Sequence, residues 1–176
     1  MRIESPAITR TDLDVFVDQL LDQERLALAR RLDAASARLQ ALAPRLRDGA
    51  SDGVDEWSAK EVLAHIAVLS KFYGMLTYKV GSGALTEVDL LENVHMRDPA
   101  GEQLARLPVA ELIDIAVADQ ARTAAYLRGA DAAAMRNRAD FGGGIIMTMQ
   151  EVATLPLCAH LEQHVEQLER QLEQES

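Results

Sequence analysis

The chain has 176 residues, enough for one domain with its own core and no need of disulfides or a structural metal to hold it together. Acidic side chains outnumber basic ones 28 to 18, and no stretch gathers Lys and Arg on one face, which argues against nucleic acid and anionic membrane as partners. With one cysteine, Cys158, no signal-type apolar segment in residues 1–10 and no apolar run near the roughly 18 residues of a membrane span, the expectation is a soluble, cytoplasmic protein.

Abundant Ala, Leu, Glu, Gln and Arg, few aromatics and no strand-like alternation predict an all-α chain, a single domain over 1–176 with a lead-in at 1–10 and a frayed acidic tail at 173–176. Thr11, with Asp14 three positions on, is the expected cap of a first helix whose stripe runs Leu13, Phe16, Val17, Leu20, Leu21, Leu28, Leu32, Ala35, Leu39, Leu42 and Leu46. Glu24 interrupts that stripe, and Pro44 with Gly49 to Gly53 ends it. Trp57-Ser58-Ala59-Lys60-Glu61-Val62 opens the second helix with a capping box and a Trp57/Val62 staple, and His65 falls inside its apolar seam. Gly81 to Gly83 break that helix. Leu85 to Leu107 read as a connection with a short helix around Val88 to Val94, and His95 lies in it, expected in solvent.

Pro108 is expected at the first position of a third helix that runs to Gly129, with Gln120 interrupting its stripe. Ala130 to Gly144 read as a Gly-rich loop. Thr148 and Glu151 cap a fourth helix, with Met147 and Val152 as its staple, and Pro156 is expected to kink it one turn before His160. Four long amphipathic segments make a four-helix bundle the expected architecture. The connections Leu85 to Leu107 and Ala130 to Gly144 are its expected cleft rim.

His160 and His164 are four residues apart on the last helix, a step of about 400° that puts both imidazoles on one face. If the second and fourth helices are neighbours, His65 joins them as a third donor. Three neutral imidazoles suit zinc, nickel, copper or iron and leave a coordination position open, as in catalytic rather than closed structural sites. The run His160-Leu161-Glu162-Gln163-His164 is not a zincin motif, and Glu162 points about 200° away from the histidine face, so it is not assigned as a base. Cys158 is similarly rotated and reads as a small buried residue. Glu24 and Gln120 are candidates to orient the imidazoles from behind, or to sit at a seam edge with their polar tips in water.

The run Trp57 to His65, followed by His160-x-x-x-His164 on the last helix, resembles the DinB-like (DinB/YfiT) superfamily of metal-binding four-helix bundles. The resemblance implies that His65, His160 and His164 hold a divalent metal, usually zinc or nickel, in a cleft at one end of the bundle; by ligand chemistry iron is a further choice. It also implies a homodimer and, for some branches, transfer of a low-molecular-weight thiol such as bacillithiol, mycothiol or glutathione. Three functions remain open at this point: a metal-dependent thiol S-transferase acting on a small-molecule substrate, a metal-dependent hydrolase, and a non-catalytic stress-response or binding protein with a structural metal. The sequence names no catalytic base and no thiol-gripping residue.

Overall fold

A computed structural model describes residues 8–48, 57–89 and 100–174. The chain is all-α apart from one short ribbon, as expected. Its elements are α1 (Arg10–Leu42), α2 (Ala59–Gly81), α3 (Val109–Gly129), α4 (Ala132–Arg136), β1 (Arg138–Asp140), β2 (Ile146–Thr148), α5 (Met149–Val152), a π-helical segment (Ala153–Ala159) and α6 (His160–Gln174). A further helical turn covers 100–104. No helix among the described residues is long and apolar enough to cross a membrane.

Long-range bonds give the helix directions. Arg31 and Arg38 on α1 each make two bonds to a carboxylate, Glu162 and Glu169 on α6, with the same sequence separation of 131, so these helices run parallel. Gln171 near the end of α6 donates to the Trp57 carbonyl just before α2 at 2.8 Å, so α2 and α6 are antiparallel. At about a third exposed, the two Arg–Glu pairs fix register more than they stabilise. Since α2 and α3 are also parallel, the connection between them must climb the length of the molecule. It thereby carries residues 100–104 to the end where α2 begins.

Asp48 staples that end. Its Oδ1 accepts the first helical N–H of α3, from Val109, at 2.9 Å and lies 3.2 Å from the Lys60 ammonium at the start of α2. These two bonds, the Val109 one foremost, hold the Asp48 carboxyl below its ordinary range. Pro108 is therefore the residue before the helix rather than its first member, because the cap comes from a distant side chain.

Several local expectations shift. The first cap is Thr9 with Asp12, two residues earlier than Thr11 with Asp14, because the same spacing is met there first and both halves of the box close. The stripe is continuous, but Leu13, Phe16, Val17 and Leu20 are 53%, 56%, 42% and 47% exposed, and burial begins at Leu21. In the parallel register, residue 18 or so lies level with the start of α5, so the first turns of α1 overhang the body. Asp18, at the root of the overhang, pairs with Arg136 of α4.

The stretch expected as a Gly-rich loop folds into α4 and an antiparallel ribbon, with Arg138, Ala139 and Asp140 opposite Thr148, Met147 and Ile146. Gly142, Gly143 and Gly144 all have positive φ and form its turn, which explains the three glycines. Asn137 ties this region to the Gly81 carbonyl at the far end of α2, away from the histidines, so it is not cleft rim. The helix expected around Val88 to Val94 falls mostly outside the described residues. Val88 itself is not helical, and its N–H donates to the Asp140 carbonyl at 2.7 Å beside the bridge that pairs Glu87 with Asp140.

Gln120 is neither at a seam edge nor in water. It is 1% exposed, accepts from Ser36 Oγ of α1 at 2.5 Å and donates to Ser70 Oγ of α2 at 3.0 Å. Ser70 in turn donates to the Ile66 carbonyl, one residue from His65, at 2.8 Å. One amide thus ties three helices together across the core. Gln120→Leu keeps the volume but takes a partner from the buried Ser70 hydroxyl and the half-buried Ser36 hydroxyl, an expected loss of about 1–3 kcal/mol. Chemical denaturation should show that loss, and an unchanged midpoint would mean the network contributes nothing.

Candidate metal centre

The π-helical segment sets the phase of the last helix. Pro156 has no N–H and in a regular α-helix would press on the carbonyl four residues back. The backbone widens instead, and the His160 N–H reaches the Leu155 carbonyl, a five-residue step. The expected kink is thus realised as an inserted residue, which turns everything after it by about 100° relative to α5. Leu161, Val165, Leu168 and Leu172 are then buried. His160 and His164 face α2.

His65, His160 and His164 come together as the residues predicted. A ring nitrogen from each lies within 4.8 Å of the others, and all three side chains are half-buried. Ring centroids are 4.6 Å apart for His65 and His164, 4.8 Å for His160 and His164, and 5.6 Å for His65 and His160. Three imidazoles converging from two antiparallel helices fit one divalent ion with metal–nitrogen bonds of about 2.0–2.1 Å after small side-chain rotations. No other group of three or more His, Cys, Asp or Glu among the described residues has this convergence.

The site opens into a cleft of about 560 Å³ lined by the three histidines, Trp57, Glu61, Gly101, Glu102 and Ala105. Trp57 does more than start a helix. Its half-exposed ring lies 4.8 Å from His65 and stacks on His164 at 6.2 Å, and Gln171 holds its backbone. Glu61 wears two roles, since the cap bonds from the Ser58 backbone N–H and hydroxyl both end on its Oε2 and keep its carboxyl below the ordinary range. Glu102 is an exposed carboxylate brought in by the climbing connection. His95 lies outside the described residues.

Behind His164, Gln167 Oε1 sits 2.9 Å from Nδ1. A neutral imidazole donating there presents the lone pair of Nε2 outward, the usual arrangement for an oriented ligand. This partner was missed in the sequence, although a Gln three residues after a ligand on the same helix is a readable signal. Glu24, proposed for such a role, lies in the electrostatic surroundings of Arg31 and Cys158. Cys158 is buried with its thiol pushed up to about 12, chiefly by desolvation and against the pull of Arg31, so it stays a protonated packing residue. Gln167→Leu, which removes the acceptor, should weaken zinc binding about 10–100-fold in a competition titration with a chromophoric chelator. Unaltered affinity would show that Gln167 does not orient the ligand.

Comparisons with known proteins agree with this geometry. A model of the DinB superfamily matches residues 20–168, from the buried part of α1 through both histidines of α6. No curated protein and no solved structure matches the chain. The matched span covers most of the sequence and holds all three converging histidines, and on that ground the chain belongs to the DinB superfamily.

Proposed function

We propose that the chain is a divalent-metal-dependent S-transferase that joins a low-molecular-weight thiol to an electrophilic small molecule in the cleft. The observation that carries this is the convergence of three imidazoles, with no fourth His, Cys, Asp or Glu in the group among the described residues, in the lining of an open cleft. An ion held by three neutral histidines keeps coordination positions for an exogenous ligand and favours the deprotonated form of a thiol or water bound to it. Zinc or nickel suits an all-imidazole set, with iron a further choice.

The chain's own residues orient and shelter the reaction. Gln167 and the π-helical turn aim His164 and His160, and the network through Ser70 steadies the turn that bears His65. Trp57 walls the cleft with an indole that restricts water and offers a face to an acceptor. In the transfer, the thiol sulfur bonds to the electrophilic carbon and the leaving group departs with its electron pair. The thiol proton goes to solvent. Metal-dependent hydrolysis is the second reading, favoured by Glu102, a cleft carboxylate that can accept a proton from water. The lone buried cysteine suits a reducing, cytoplasmic setting.

A second copy is the proposed protein partner. The overhang of α1 continues the stripe that forms the core, yet exposes Leu13, Phe16, Val17 and Leu20. An antiparallel twin would cover this strip.

Zinc-loaded protein incubated with a thiol and an activated aryl halide should consume thiol at least about 100-fold faster than the His160→Ala variant. Equal rates, with the variant folded, would remove the transferase. Ester hydrolysis lost in the same variant, without thiol consumption, would favour the hydrolase. Light scattering should give twice the chain mass for the wild type and a single chain mass for Leu13→Glu/Phe16→Glu. A monomeric wild type would contradict the pairing.

A further inference from the structure

The cleft beside the three histidines carries a charge pattern that bears on what enters it. Glu61 and Glu102 line it from two separate elements, the first turn of α2 and the turn at 100–104. No Lys or Arg lines it among the described residues. Lys60, next to Glu61 in sequence, is drawn to Asp48. The cap bonds of Glu61 fall on Oε2, and Oε1 carries neither of them. No ion pair among the described residues neutralises Glu102.

Trp57 lines the same cleft, and its indole face attracts cations. The remaining described lining, Gly101 and Ala105, is small and uncharged. The whole chain adds a formal charge of −10, a field that repels anions before they arrive. A ligand bearing several carboxylates would meet two like charges here with no basic group among the described residues to receive it. An ammonium group would find two carboxylates and an aromatic face.

Building on the thiol reading above, we propose that the cleft selects amine-bearing thiols and acceptors over carboxylate-bearing ones, with Glu61 and Glu102 as the anchors of the ammonium group. Glu102 is the discriminating residue, because Glu61 also serves the helix cap. The reaction is unchanged by this. Only the group carried beside the sulfur or the electrophilic carbon is specified.

Trp57 is the only tryptophan, so its fluorescence reports occupancy of the cleft without any turnover. Zinc-loaded protein is titrated at low ionic strength with cysteamine, 2-mercaptoethanol and mercaptoacetate, close in size and differing in charge. Because an ammonium group also acidifies its own thiol, propylammonium and propionate are titrated onto metal-free protein in parallel. Cysteamine should bind about 10-fold more tightly than mercaptoacetate, with 2-mercaptoethanol between, and the ratio should shrink in 0.5 M salt. Glu102→Gln should cut the ratio about 3-fold and leave zinc content unchanged.

Equal or tighter binding of mercaptoacetate, or a ratio indifferent to Glu102→Gln, would overturn the charge selection even with zinc and thiols bound. If no thiol alters the fluorescence but propylammonium binds ahead of propionate, the thiol reading fails and the charge selection stands. Failure of every probe in both arms would overturn both.

Discussion

The backbone's five-residue step at Pro156 is the constraint on which the rest depends. A proline inside a helix cannot donate and cannot tolerate the carbonyl behind it, so the chain either bends sharply or takes in an extra residue. Here it takes in the residue, and the rotation that follows settles three contacts at once. The leucine and valine stripe of α6 turns to the core, Glu162 and Glu169 turn to Arg31 and Arg38 on α1, and His160 and His164 turn to His65 on α2. A regular helix through the same residues would satisfy at most some of these together. The histidine cluster is in this sense a consequence of how the chain accommodates one ring.

The end of the molecule that holds the histidines is also where unlike elements are tied. Asp48 joins the end of α1 to the starts of α2 and α3, Gln171 joins α6 to Trp57, and the Arg45 guanidinium bonds the Leu172 carbonyl at 2.6 Å. The last bond places a cation at the C-terminus of a helix whose own last turn has none, which answers its unfavourable acidic end. Below it, Gln120 crosses the core. The opposite end is built differently, from a glycine turn, a short ribbon and an exposed helix start. The ties between elements thus gather at the end that holds the imidazoles.

Features carried by local chemistry could be read from the sequence. The boxes at Ser58/Glu61 and Thr148/Glu151 are as expected because each rests on residues three apart. The three histidines were legible through helical spacing and family resemblance, and the converging rings agree. What stayed hidden depended on partners distant in sequence. Asp48 capping Val109, Gln120 bonding two serines and the route of the chain to Glu102 leave no periodic trace. Thr11 misled because Thr9 offers the same pattern first, and the stripe at Leu13 to Leu20 misled because periodicity shows that a face is apolar without showing what covers it. The ribbon was too short to alternate visibly.

Three converging imidazoles that could hold a metal ion share their cleft with an indole and two carboxylates. Everything proposed for its chemistry stands on the metal. The most direct measurement is therefore the metal content, by elemental mass spectrometry, of protein purified without affinity tag or chelator, beside a His65→Ala/His164→Ala variant. About one equivalent of zinc, nickel or iron in the wild type and none in the variant is the expected result. A wild type that stays metal-free after incubation with zinc would contradict the account and leave the histidines as packing residues.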